Sequence, residues 1–224
     1  MYQRRCKKYL FEFYLNNLKK DIEFIISKMV QVPICSVSID EMDKLQNLEQ
    51  YLKAHIFGQD HAVEELCIAL KLSKAGLRDY KRPMGCYMFA GPTGIGKTEL
   101  ARQLAIGLSM DLIRIDMSEY MEAHSISKLI GTPPGYVGFE QGGILTDAVV
   151  KSPYSVILLD EIEKAHREIY NILLQVMDYG KLTDNTGRAI NFSNAIIIMT
   201  TNAGANDVGK SSIGFGNEQT IHND

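Results

Sequence analysis

The run Gly91-Pro92-Thr93-Gly94-Ile95-Gly96-Lys97-Thr98 carries the strongest chemical signal in this chain. It fits the phosphate-loop pattern G-x-x-x-x-G-K-[ST] at every fixed position. Glycines let backbone N–H groups close around an anion without Cβ clashes. A helix starting at the end of the loop adds its partial positive charge. Lys97 can reach the β- and γ-phosphates of a nucleotide, and the Thr98 hydroxyl can ligate magnesium. Residues Gly91 through Glu99 are therefore expected to cradle a nucleoside triphosphate.

A second acidic signal matches the first. Val156-Ile157-Leu158-Leu159 reads as a buried strand and delivers Asp160-Glu161 at its C-terminal end, where ligands bind in open α/β sheets. Asp160 would hold magnesium through water, and Glu161 would orient and deprotonate an attacking water. Asn202, just past the last strand, could hydrogen-bond the γ-phosphate or that water. Gly135-Tyr136-Val137-Gly138 sets an aromatic and a branched residue between glycines. A mobile loop with an apolar grip and a turn whose Tyr packs inward fit this run equally well. His124 and His166 have no partner at metal-ligand spacing and read as solvated or capping residues.

These groups need a scaffold that brings them to one place. Cys86 to Ala90 reads as a strand ahead of the loop, and Glu99 to Ala105 as the helix after it. Leu112 to Asp116, Ser155 to Asp160 and Ala195 to Thr201 read as further strands. Helices are predicted over 60–75, 145–150 and 169–177, with Val63, Leu66, Cys67, Leu70 and Leu72 among the buried positions of the first. Gly76 sits near that helix's end, and Ser118 is the expected cap of the segment after Asp116. Strands alternating with helices imply a parallel sheet covered on both faces. Upstream, residues 9–31 carry apolar residues at helical spacing up to Pro33. Ser38 and Glu41 match a capping box for a helix through about Leu52. The glycine- and proline-rich run 131–143 is a loop, and the polar stretch from Ala203 to Asp224 is a tail.

Bulk composition sets limits on function. The 224 residues suffice for one large domain with an appendage. The net charge of -3 argues against a duplex-binding surface. The cysteines Cys6, Cys35, Cys67 and Cys86 show no paired spacing, so neither a disulfide framework nor a zinc site is expected; a reducing, cytoplasmic setting fits. No apolar run reaches the roughly 18 residues of a membrane span. The basic run at Arg4, Arg5, Lys7 and Lys8 reads as a solvated face.

Several runs together resemble a known family. Phe57-Gly58-Gln59-Asp60, GPTGIGKTEL, Asp116 to Tyr120, GTPPGYVGFEQGGILTDAV, LLDEIEKAH and MTTNAGA are similar to the second AAA+ module of Clp ATPases over residues 55–216, and most like the ClpA branch. The resemblance implies an α/β P-loop NTPase: an AAA+ large subdomain with a parallel sheet flanked by helices, preceded by a short helical segment. It divides the chain into a helical segment and linker at 1–54, a nucleotide-binding core at 55–205, and a tail at 206–224. It implies ATP and Mg2+ as ligands, with Lys97, Glu161 and Asn202 catalytic and Thr98 and Asp160 at the metal. Ile56, Phe57 and Gly58 would lie beside the adenine. Tyr136 and Val137 would form the pore loop that grips substrate, and Ile213-Gly214-Phe215 would dock on a ClpP-like peptidase. The implied partners are protein substrates, the peptidase and further copies of the chain in a hexameric ring, with no nucleic acid or membrane. In the family, the arginine finger, a fifth strand and a helical lid follow the last residues matched. Family strand order would put that fifth strand beside residues 86–90, leaving them an apolar edge in its absence. The competing reading is a non-catalytic piece that binds nucleotide or partner subunits without turnover. A helicase or loader is a third, disfavoured by the charge.

Overall fold

A computed structural model describes residues 40–132 and 142–203. Its centre is a parallel four-stranded sheet in the order β1-β6-β3-β2. The strands are β1 (Gly85–Ala90), β2 (Asp111–Asp116), β3 (Ser155–Asp160) and β6 (Ile196–Thr201). The two inner strands, β3 and β6, are buried along their whole length. The continuous apolar runs Val156 to Leu159 and Ile196 to Met199 suit strands covered on both faces.

The two faces have separate cores. Val156, Leu158, Ile196 and Ile198 pack against Leu100, Ala101 and Leu104 of α3 (Lys97–Leu108). The same core takes Leu45, Leu48 and Leu52 of α1 (Asp40–His55) and Val63, Leu66, Cys67 and Leu70 of α2 (Asp60–Leu72). On the opposite face, Ile157, Leu159, Ile197 and Met199 meet Leu145 and Val149 of α5 (Ile144–Lys151) and Ile169, Leu173 and Val176 of α6 (Arg167–Tyr179). The short helix α4 (Ile126–Ile130) adds Ile126 and Leu129. Helices on both faces of a parallel sheet are the expected α/β class.

Three details depart from the sequence reading. Leu72 is 49% exposed, because the helix widens after it and Gly76 turns the chain at φ 86°. Asp116, rather than Ser118, is the cap: its side chain accepts the Ser118 N–H at 2.9 Å. A small antiparallel hairpin, β4 (Lys181–Thr183) and β5 (Ala189–Asn191), lies between α6 and β6. Gly180 opens it at φ 59°, with a Cβ position 1.8 Å from the Lys81 carbonyl oxygen, so only glycine fits. The N-terminal helix expected over 9–31 and the Ser38 cap lie outside the described residues. Among the described residues no helix is long and apolar enough to cross a membrane.

The hairpin tip is held by one carboxylate. Asp184 accepts from the Thr186 and Arg188 N–H groups at 2.9 and 2.8 Å, from the Thr186 hydroxyl at 2.6 Å and from Arg188 Nε at 2.9 Å. Burial pushes its carboxyl up, but the hydrogen bonds from Thr186 and Arg188 outweigh that and hold it below the ordinary value. Asp184→Ala should cost about 1–3 kcal/mol, since buried donors lose their acceptor. A depressed folded-state value means this contribution is complete above the unfolded carboxylate value of about 3.9 and fades as pH falls below it. Urea midpoints of the two proteins should therefore differ at neutral pH and converge in acid.

Candidate functional site

Parallel strands end on the same edge of the sheet, and three of those ends carry the expected site. β1 runs into the glycine loop, β3 ends in Asp160 and Glu161, and β6 ends before Asn202. The loop is closed by glycines in left-handed conformations, Gly94 at φ 88° and Gly96 at φ 94°. Gly96 is the N-cap of α3, so the first free N–H groups of that helix open toward the loop. Lys97 Nζ donates to the Gly91 and Pro92 carbonyls at 2.5 and 2.8 Å and to Asn202 Oδ1 at 2.8 Å. The lysine and the asparagine, 105 positions apart, are thus in direct contact.

The acidic pair is tied to the neighbouring strands. Asp160 is 8% exposed and accepts from Thr98 Oγ1 at 3.3 Å, Arg114 Nη2 at 2.8 Å and Thr200 Oγ1 at 2.5 Å. The Thr200 hydroxyl also accepts the Glu161 N–H at 3.0 Å, so one side chain of β6 fixes both acids. Glu161 has φ 56°, a left-handed backbone rare outside glycine. Strain of this kind is held by its surroundings and clusters at functional sites. The strain turns the chain out of β3, and Glu161 Oε2 meets Lys164 Nζ at 2.5 Å. Glu99 pairs with Arg102 at 2.5 Å, and hydrogen bonds from Arg102 and Gln103 bring its carboxyl down to about 2.

These residues share one cleft of about 380 Å³, lined by Thr93, Gly94, Gly96, Lys97, Thr98 and Glu99 on one side and Asp160, Glu161, Thr200 and Asn202 on the other. An apolar cavity of about 170 Å³ adjoins it through Gly96 and Lys97 and includes Ile56, Gln59, Ala62, Met88, Ile95 and Leu100. Of the segment expected beside a purine, Ile56 lines this cavity, whereas Phe57 is 84% exposed and Gln59 takes its place in the lining. Gly58 turns the chain between them at φ 72°. The Thr98 hydroxyl and the Asp160 carboxylate offer hard oxygen donors, the type magnesium takes in ones and twos beside substrate phosphates. Tyr136, Val137, Ile213, Gly214 and Phe215 lie outside the described residues.

Four contributors escaped the sequence reading. Arg114 and Thr200 reach the acidic pair across strands, Lys164 meets Glu161 from the turn that follows it, and Glu163 of the same turn accepts the Asn202 N–H. The strand alternation of residues 112–116 places Arg114 on the face opposite Ile113 and Ile115, and only that parity hinted at its direction. His166 does cap a helix, its Nδ1 accepting the Glu168 N–H at 3.3 Å. His124 is solvated and lies 3.1 Å from Glu122.

Comparison with known proteins agrees with this architecture. The family model described as AAA domain (Cdc48 subfamily) matches residues 82–223. The chain is 57% identical over 205 residues, 92% of its length, to a ClpA homolog protein of Fuscovulum blasticum, of which it spans 26%. It is 51% identical over 201 residues, 88% of its length, to the ATP-dependent Clp protease ATP-binding subunit ClpE of Lactococcus lactis, spanning 27% of it. It is 56% identical over 188 residues, 83% of its length, to the probable chaperone protein ClpB 1 of Chlorobaculum tepidum, spanning 43% of it. The chain thus spans less than half the length of each of these relatives. The family model places the chain in the AAA domain family, Cdc48 subfamily, and the relatives make it a module of the Clp type.

Proposed function

We propose that this chain binds ATP with magnesium in the cleft at the strand ends and hydrolyses it, as the core of a ClpA-like protein unfoldase. The observation that carries the reading is convergence: Lys97, Thr98, Asp160 and Asn202 come from three strand ends and meet around one cleft. Loop amides and Lys97 would take the phosphates, exchanging the Gly91, Pro92 and Asn202 acceptors for phosphate oxygens. Thr98 and Asp160 would hold the metal, whose role when bound is to neutralise charge on the phosphates. Glu161 would take a proton from the attacking water, and Asn202 would contact the γ-phosphate. The adenine would lie in the apolar cavity against Ile56 and Gln59.

The wider organisation belongs to the same proposal. Residues 1–54 form a helical segment and linker, 55–205 the nucleotide-binding core, and 206–224 the tail. Tyr136 and Val137 grip protein substrates in a pore formed by a hexamer of copies. Ile213-Gly214-Phe215 docks a ClpP-like peptidase, in the cytoplasm. A relative whose name is that of a Clp protease subunit supports the peptidase partnership. A relative at similar identity whose name is that of a chaperone favours a second reading, an unfoldase that works without a peptidase. Deleting residues 213–215 decides between them: loss of peptidase binding at unchanged nucleotide affinity supports the first, and no peptidase binding in the parent supports the second.

The nucleotide reading is tested by titration. The chain should bind Mg-ATP, and Lys97→Ala should weaken that binding roughly 10- to 150-fold, the worth of hydrogen bonds to a charged group. Equal affinity of parent and variant would remove the phosphate role of Lys97. Binding without turnover in the parent would favour a non-catalytic piece.

A further inference from the structure

Glu163 lies outside the acidic pair and the phosphate loop, yet it touches the residue that links them. Its Oε1 accepts the Asn202 main-chain N–H at 3.0 Å, and its carboxylate is hydrogen-bonded with the Thr201 side chain. The β6 ladder explains why that amide needs a partner. The register of β6 against β3 stops at Leu159 opposite Met199, and against β1 it stops at Ala90 opposite Thr201. The Gly91 N–H still donates to the Thr201 carbonyl at 3.1 Å on one side of the strand end. Past that point no strand among the described residues offers Asn202 an acceptor, and Glu163 supplies one.

Glu163 is itself firmly placed. It sits in the 3-10 turn Ile162–Lys164, whose Ile162 is 3% exposed. The Tyr170 hydroxyl donates to the Ile162 carbonyl at 2.6 Å and ties the turn to α6. Burial pushes the Glu163 carboxyl up, but backbone hydrogen bonds from its own N–H and from Asn202, with one from the Thr201 hydroxyl, outweigh it and hold it below its ordinary value. On the other side of the same residue, the Asn202 amide oxygen accepts from Lys97 Nζ at 2.8 Å.

We propose that Glu163 is a positioning residue that fixes the Asn202 backbone, so that the Asn202 side chain is aimed at the terminal phosphate and the site distinguishes nucleoside triphosphate from diphosphate. A side chain three bonds from its own amide can only be aimed as well as that amide is held. Asn202 held by Glu163 meets the γ-phosphate without first ordering the strand end, and a diphosphate leaves that contact unused. The inference rests on the nucleotide reading above, and its test separates the two.

Affinities for Mg-ADP and for Mg with a non-hydrolysable ATP analogue are measured by titration in the parent, Glu163→Ala and Glu163→Gln. Glu163→Ala should weaken analogue binding roughly 3- to 10-fold, the effect of one hydrogen bond, with ADP affinity unchanged. Glu163→Gln keeps an acceptor of the same length and should restore the parent's preference. In an Asn202→Ala background, Glu163→Ala should have no further effect on the analogue. Should the alanine variant fail to fold, Glu163→Met keeps the length without the acceptor and must show the same selective loss. Equal weakening of both nucleotides, or none, would overturn the positioning role while leaving the nucleotide reading intact. A parent that binds neither nucleotide would instead overturn that reading.

Discussion

Glu161→Gln should slow ATP hydrolysis by about 10²–10⁴-fold while leaving Mg-ATP affinity near the parent's. Gln keeps the length and shape of the side chain and loses the basic oxygen that would take a proton from water. The change is local for three reasons. The left-handed backbone at φ 56° costs Gln and Glu alike, so the turn after β3 is not released. The main-chain N–H still donates to Thr200, which goes on holding Asp160. The Lys164 partner is lost, but that pair is 46% and 34% exposed, and surface pairs contribute about 0–1 kcal/mol. Phosphate release in a single turnover, beside a titration of the same sample, reads both quantities. Unchanged hydrolysis would mean that Glu161 is not the base. Equal loss of affinity and rate would mean that the variant disturbs Asp160 instead.

How much of this was legible in the residues depends on the range of the contacts. The phosphate loop is local: its glycines, Lys97 and Thr98 act within one turn, so spacing alone defines it. β3 and β6 were legible because burial on both faces leaves an unbroken apolar run. The hairpin at 181–191 was not, because each arm has three residues and buries one, Leu182 or Ile190. Its stability comes from Asp184, whose role appears only when Thr186 and Arg188 fold back onto it. Leu72 was misjudged because a helical period holds only while the helix does, and the helix widens at Ser73. Arg114 and Glu163 were missed for a common reason. Each is a charged residue in an ordinary solvent-exposed pattern, and its partner lies 46 or 39 positions away. The edge position of β1 was legible through resemblance: among the described residues it pairs with β6 alone, and Met88 is 58% exposed.

Leu158→Ala should cost about 2–5 kcal/mol of stability, a large part of the roughly 5–15 kcal/mol that holds a domain together. Leu158 is fully buried in β3, in register with Arg114 on one side and Ile198 on the other. Its side chain belongs to the core shared with α1, α2 and α3, where two inner strands and three helices leave no slack to refill the space. Met88→Ala on the edge strand is the control: a half-exposed position should move stability by no more than about 0.5 kcal/mol. Leu158→Ala also links fold to function. A ligand that binds only the native state adds about 2.7 kcal/mol at a hundred times its dissociation constant. Saturating Mg-ATP should therefore return a large part of the loss in Leu158→Ala, seen as a recovered midpoint in urea. The rescue should shrink to about 0.3–1.4 kcal/mol at the same nucleotide concentration when Lys97→Ala is combined with it, because that concentration is then only about 0.7 to 10 times the dissociation constant. Rescue of equal size in single and double variants would mean that the nucleotide acts somewhere other than the cleft at the strand ends.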